Sequence, residues 1–334
     1  MPQISVIIPA YNVERTVLET IQSVQQQTFQ DFEIIVINDG STDNTLEVVQ
    51  RLEDNRIKIF SYTNGGLPTA RNRGITHAQG EFISFIDADD LWTPDKLELQ
   101  LKALQEYPSA GVAYSWFVCM VEESQSTSFV ESVPVQFVGN VYPQLLLGNF
   151  VGNGSNILVR RAAIEIVGEF DPTLKSCEDW DYYLRLAADW TFALVPQYQI
   201  IYRKAAESMT SKVKVMEEQG LRVIERAYQS AAPVYQSMKN QSLAHFYRYC
   251  ADLHFTHQRH EQALSAERNS AGAAETHRCL RLAIRLSPAI LLDRYAQKLV
   301  VKLFLSSLLP SNLARSINRQ IRKWFTAADP RVQS

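Results

Sequence analysis

The first hundred residues alternate between short solid runs of apolar residues and longer stretches with apolar positions three or four apart. Residues 4–8 (Ile-Ser-Val-Ile-Ile), 33–37 (Glu-Ile-Ile-Val-Ile), 57–62 and 82–86 are the solid runs. Such runs are expected of strands buried on both faces. Pro9 ends the first of them. Between them, residues 14–27 carry Val17, Leu18, Ile21 and Val24 at helical spacing. Ser41 or Thr42 is placed to cap a helix reaching Leu52, Gly65-Gly66 opens a helix over 68–78, and Thr93-Pro94 caps a helix through Glu106. The predicted order is βαβαβαβ, an α/β fold with a mostly parallel central sheet.

Farther along the pattern changes. Residues 110–160 read as strands and loops, with a polar surface loop at 122–132. A helix with an acidic start covers 178–188, and a final strand pair covers 191–203. Beyond Ser208 nearly everything is helical. His245–Leu264 and Ala274–Leu286 suggest one helical hairpin of tetratricopeptide kind. The predicted organisation is an α/β domain over 1–207, a helical region over 208–288 and a basic amphipathic tail over 289–334.

Composition narrows the class. The 334 residues are 46% hydrophobic and 21% charged, which is globular. The net charge of −3 gives no reason to expect a nucleic-acid partner. The charge is uneven: from Arg278 onward there are eleven Lys/Arg against two Asp/Glu. An acidic body with a basic tail leaves two readings open: a peripheral contact with an anionic membrane surface, or, slightly favoured, a helix packed on the preceding domain with its basic face in water. Four scattered cysteines without CxxC spacing, no signal-type core and no long apolar run lead to the expectation of a cytoplasmic protein.

In open α/β sheets ligands bind at the carboxyl ends of the strands. Polar clusters fall there: Tyr11-Asn12, Asn38-Asp39 and Asp87 to Asp90. Side chains two apart on an extended chain point the same way, so Asp87 and Asp89 converge. Two carboxylates that close favour a hard cation between them, Mg²⁺ or Mn²⁺. An acidic loop capping the next helix is the alternative. Asp39 is placed either to accept from a ribose hydroxyl or base N–H, or to shape a turn. Glu178-Asp179 is either a dipole-favoured helix start or the seat of a general base. Spacing alone leaves each pair of readings open.

Taken in order, these pieces resemble family 2 glycosyltransferases. The matching segments are Ser5 through Asn12, Glu33 through Asp43, Gly65 through Gly74, Phe85 through Asp90, and Glu178-Asp179. The resemblance covers residues 3–205. It implies a GT-A fold and an inverting, non-processive transfer of sugar from a nucleotide-sugar donor, UDP before GDP or dTDP. The acceptor it implies is a saccharide or lipid-linked hydroxyl, in polysaccharide or glycolipid assembly. It places Pro9, Tyr11 and Asp39 around the base and ribose. It makes Asp87 and Asp89 the metal and diphosphate pair, Asp179 the catalytic base with Glu178 beside it, and Arg71 a donor-side contact. A catalytically degenerate scaffold with the same fold is the alternative function.

The chain also departs from the family pattern. Gln320-Ile321-Arg322-Lys323-Trp324 only approximates the processive Gln-x-x-Arg-Trp motif. Ala205-Ala206 stand where many relatives have a His before the Ser208-Met209-Thr210 loop, which leaves Arg203 a secondary candidate. A sugar-phosphate nucleotidyltransferase is disfavoured, because Pro9-Ala10-Tyr11-Asn12 offers no glycine-rich phosphate cradle. His254, His257 and His260 span about 200° of a helix, so they cannot share one face and are expected to be solvated or packed. Gly152-Asn153-Gly154-Ser155-Asn156 lacks both the dinucleotide and nucleophile-elbow patterns; the resemblance implies that it is an acceptor-side loop. Trp92 and Trp180 could line a pocket or pack in the core.

Overall fold

The computed structural model describes residues 1–123, 126–204, 213–264 and 270–308. The Ser208–Thr210 loop and the 320–324 sequence lie outside them. The chain divides into two compact units, Met1–Met209 with Glu218–Ala227, and Thr210–Glu217 with Tyr228–Ser334.

The first unit is built in the order β1 (Ile4–Ala10), α1 (Val17–Gln25), β2 (Phe32–Asn38), α2 (Thr45–Gln50), β3 (Ile57–Ser61), α3 (Leu67–His77), β4 (Phe82–Phe85), β5 (Leu91–Trp92) and α4 (Lys96–Glu106). It continues with β6 (Ala110–Glu123), β7 (Ser126–Glu131), α5 (Tyr142–Leu147), β8 (Leu158–Arg160), α6 (Arg161–Val167), α7 (Glu178–Asp189) and β9 (Thr191–Lys204). The sheet runs β3-β2-β1-β4-β8-β6-β9-β5, with β7 paired to β6. β3, β2, β1 and β4 are mutually parallel, so this is the mixed, mostly parallel GT-A sheet. β1 has β2 on one side and β4 on the other, which makes its end a topological switch point.

β1 and β2 are buried at every position. Their apolar side chains join α1 and α4 in one core. α3 lies close on β1, since a Cβ on Gly74 would stand 2.3 Å from Cγ2 of Ile7. Glu33 is the polar exception. It accepts from Ser5 Oγ at 2.6 Å, Lys58 Nζ at 2.7 Å and the Gln79 amide at 2.8 Å. These bonds hold its carboxyl below its usual range although burial pushes the other way.

The structure corrects several local expectations. Pro9 lies inside β1 rather than ending it. Ile7 pairs with Phe85, the last residue of β4, so the donor that Pro9 lacks would face past that strand's end. Ser41 and Thr42 do not cap α2, whose N-cap is Asn44. Ser41 Oγ accepts the Asn12 amide and Asn12 Oδ1 accepts the Thr42 amide, so both residues tie the turn back to the end of β1. Thr93 is not the cap of α4, which begins after Asp95. The segment expected as a loop at 122–132 pairs as a hairpin, from Val118↔Glu131 to Glu123↔Ser126. The expected strand pair at 191–203 is one strand, β9. Its register against β6 slips between Val195 and Tyr198, where Pro196 supplies no amide donor.

The second unit is helical. α8 (Val213–Ser230) contributes Val213–Glu217 to it, followed by α9 (Lys239–Leu264), α10 (Ser270–Leu286) and α11 (Arg294–Leu308). α9 and α10 pack against each other. Ala244, Ala283 and Ala296 are fully buried with Ile290, small residues that let helices approach closely. Among the described residues no helix is long and apolar enough to cross a membrane.

Candidate active site

The carboxyl ends of β1, β2 and β4 bring their polar residues to one edge of the sheet. Asn12 takes a left-handed conformation (φ 52°) that leaves Tyr11 half exposed. Asp39, directly after β2, is 3% exposed. Its oxygens accept from the amides of Gly65 and Gly66 at 2.8–3.0 Å and from Arg73 Nη1 at 2.6 Å. Within the chain, then, Asp39 anchors the loop that opens α3.

The acidic turn after β4 is held from three sides. Ser155 Oγ accepts the Asp87 amide at 3.0 Å and donates to Asp90 Oδ2. Asp90 Oδ1 accepts the Arg203 amide at 3.0 Å, and Arg203 Nε donates to the Asp89 carbonyl at 2.9 Å. Thr20 Oγ1 donates to the Asp90 carbonyl at 2.8 Å. Asp90 is thus the buried strut of the turn, while Asp87 and Asp89 are partly exposed. Burial, and then the charge of Asp87, pushes the Asp89 carboxyl up to about 6.

Arg71 crosses from α3 into this turn. It is 1% exposed. Its Nη2 donates to Asp87 Oδ1 at 2.7 Å and its Nη1 to Glu178 Oε1 at 2.8 Å. Two carboxylates and the Phe170 ring, 5.3 Å away, keep the guanidinium charged against the cost of burial. Arg71 therefore links the Asp87 turn to the start of α7.

α7 begins after Cys177, which is in the left-handed region (φ 59°), with Glu178, Asp179 and Asp181 in its first turn. Asp181 pairs with Arg185 one turn on, at 2.9 Å. Asp179 instead faces Asn149, whose Nδ2 donates to its Oδ2 at 3.1 Å. Burial, and then the neighbouring Glu178, raises the Asp179 carboxyl to about 7, with Arg71 opposing the rise. A carboxylate poised near neutrality can take a proton there.

The structure thus brings Arg71, Asp87, Glu178 and Asp179 into one connected chain of contacts. Pro9, Tyr11 and Asp39 sit at the neighbouring strand ends. Trp92 and Trp180 are core residues, each 4% exposed, with their indoles donating to the carbonyls of Ser155 and Leu145. Asn149 carries no signal in the sequence, whereas Gly154 and Ser155 belong to the segment expected as an acceptor-side loop and are found against the Asp87–Asp90 turn. The Gly152–Asn156 segment was visible as an unusual sequence, but its partners lie about 65 residues away.

The family model described as "Glycosyltransferase like family 2" matches residues 5–253. The chain belongs to this family. A relative, the amylovoran biosynthesis glycosyltransferase AmsB of Erwinia amylovora, is 30% identical over 224 residues, covering 63% of this chain and 74% of that one. Longer curated glycosyltransferases also match, and the chain spans about a quarter of the length of those from Rickettsia felis and Rickettsia conorii. Among solved structures, S. aureus TarS 1-349 superposes with a TM-score of 0.57 at 21% identity, covering 97% of this chain and 92% of that one. The mannosyltransferase PcManGT of Pyrobaculum calidifontis, solved with GDP-Man and Mn²⁺, gives 0.56 at 18% identity, covering 91% and 87%. At these identities the likeness is one of fold.

Proposed function

We propose that this chain transfers a sugar from a nucleoside diphosphate sugar, with UDP the first choice of nucleotide, to an acceptor hydroxyl with inversion. The observation that carries the reading is the contact chain Asp87–Arg71–Glu178, which ties a diphosphate-type acidic turn to a carboxylate with raised proton affinity, Asp179. Pro9, Tyr11 and Asp39 form the base and ribose end of the donor site. The donor set at the other end is oxygen only, and its crowded charge fits a hard divalent cation. Asp87 and Asp89 would hold Mg²⁺ or Mn²⁺, which when bound neutralises charge on the departing diphosphate.

Asp179 takes the proton of the acceptor hydroxyl. The acceptor oxygen bonds to the anomeric carbon as the bond from that carbon to the diphosphate breaks. The electron pair leaves with the nucleoside diphosphate. No protein nucleophile is needed, and attack opposite the leaving group inverts the anomeric centre. Asn149 and Glu178 position Asp179, and Arg71 sets the spacing between the donor and acceptor halves.

A saccharide or lipid-linked acceptor, used in surface glycan assembly, fits this chemistry. α11 and the turn before it expose Leu292, Tyr295, Val300, Val301 and Phe304 in a segment rich in Arg and Lys, which supports a peripheral contact with anionic membrane. Anionic vesicles that fail to bind the intact chain would remove that contact from the reading.

The deciding experiment is calorimetric binding of UDP, GDP and dTDP, with and without Mn²⁺, to the wild type and to Asp89→Ala. Metal-dependent binding of one nucleotide, lost in the variant, is expected. No nucleotide binding under any condition would leave a scaffold with a transferase fold.

A further inference from the structure

The helical unit carries a cluster that sugar transfer does not use. Glu217 of α8, His254 of α9 and Cys279 of α10 bring an oxygen, a nitrogen and a sulfur atom within 4.8 Å of one another. Cys279 is fully buried, His254 is 8% exposed and Glu217 is 9% exposed. Cys279 Sγ lies 3.6 Å from Glu217 Oε2, and His254 Nε2 lies 3.9 Å from the same oxygen. Among the described residues, His254 Nε2 is buried and has no hydrogen-bond partner. A buried imidazole nitrogen left without a partner carries a desolvation cost that a bound ion would relieve.

We propose that Glu217, His254 and Cys279 form a zinc site. A set of one thiolate, one imidazole and one carboxylate suits a borderline-soft ion and not Mg²⁺, which prefers oxygen alone. Bonds of about 2.0–2.3 Å in a tetrahedron place ligand atoms roughly 3.3–3.8 Å apart, so the separations here need only small side-chain shifts. Zinc displaces the Cys279 thiol proton to solvent, and its two charges balance the thiolate and the carboxylate. Three protein ligands leave a fourth position for water.

Arg278 stands beside the cluster. Its Nη2 donates to both oxygens of Glu217 at 2.6–2.7 Å, and its Nε to Glu275 Oε2 at 2.7 Å. Nη2 also reaches Cys279 Sγ at 3.3 Å. Glu275 balances this guanidinium, which leaves Arg278 as an outer partner fixing the Glu217 carboxylate. The ion would fasten the Val213–Glu217 segment of α8 to α9 and α10 within the second unit. It is chemically distinct from the oxygen-only pair Asp87 and Asp89.

The test uses the full chain, freed of metal and titrated with Co²⁺ as a spectroscopic stand-in for zinc. One equivalent should give a thiolate-to-cobalt charge-transfer band with tetrahedral visible bands, both erased by Zn²⁺. Zinc at 100 times its Kd should raise the thermal midpoint, as a ligand of the native state alone does. Cys279→Ser should lose the charge-transfer band, and His254→Gln should weaken binding about tenfold or more. Asp89→Ala should keep the full signal, which separates this site from the donor site. Circular dichroism of the metal-free variants reports whether they fold. A wild-type chain with no thiolate band overturns the proposal whatever the variants do, as does a band that survives Cys279→Ser.

Discussion

Nη2 of Arg71 occupies the space where a side chain on Gly154 would begin: a Cβ there would stand 2.1 Å from it, and 3.2 Å from Asp87 Oδ2. The glycine is thus part of the site although it bears no functional group. Gly154→Ala should displace the guanidinium from Asp87. The expected outcome is a fall in kcat/KM of about 10²-fold, as follows when reacting groups move by about 1 Å. The overpacking should cost about 1–3 kcal/mol of stability in a denaturant titration. Unchanged kinetics would show that Arg71 does not set the geometry of the turn.

Arg71 itself answers to two carboxylates, Asp87 and Glu178. Arg71→Met leaves both without their cation in a mostly buried place. Breaking such a pair costs about 3–5 kcal/mol. Arg71→Lys should restore little of it, because one ammonium cannot reproduce a planar fork bonded at two ends. Urea unfolding of both variants checks the order wild type above Lys above Met.

The Asp179 carboxyl, raised to about 7, gives the transfer reaction an acid limb. A general base works deprotonated, so kcat/KM should fall tenfold per unit as pH drops below about 7 and level off above it. Asp179→Asn should lower the rate by about 10²–10⁴-fold and abolish the limb. Asn149→Ala withdraws a hydrogen bond from the charged form, so its limb should move to higher pH. A pH–rate profile that is flat from 5 to 9 in the wild type would remove Asp179 from the role of base.

Much of this was legible in the chain because local pattern and fold agree. Ile4 to Ile8 and Glu33 to Ile37 are solid apolar runs, and they are strands buried on both faces. Asp87 and Asp89 sit two apart after such a run, near enough that the charge of Asp87 helps to raise the Asp89 carboxyl. What the local pattern does not carry depends on distant partners. The resemblance places Arg71 on the donor side, but its burial is set by Glu178, 107 positions away. Ser155 has no local pattern because its partners, Asp87 and Asp90, come from another strand's end. β7 was read as a loop because Ser126, Thr127, Ser128 and Glu131 give it no apolar face. His254 was judged by its own helix, whereas Glu217 and Cys279 reach it from two others.

Lys96 offers the cleanest test of the core. It begins α4 and is fully buried, with Nζ donating to Ser84 Oγ and lying 3.9 Å from the Trp92 ring centroid. Desolvation alone pushes its ammonium well below the usual lysine range. The unfolded chain keeps that proton up to about pH 10.4, whereas the folded chain releases it at lower pH. Between those two values the unfolded state binds more protons, so stability should rise with pH across that window. Lys96→Met keeps the length and removes the charge. Replacing buried charge by a well-packed apolar side chain is often neutral or stabilising by about 1–4 kcal/mol. The variant should therefore melt at or above the wild type at pH 7 and lose part of the alkaline gain. A lower Tm with the pH dependence intact would mean that Lys96 holds its charge through a partner beyond Ser84 and Trp92.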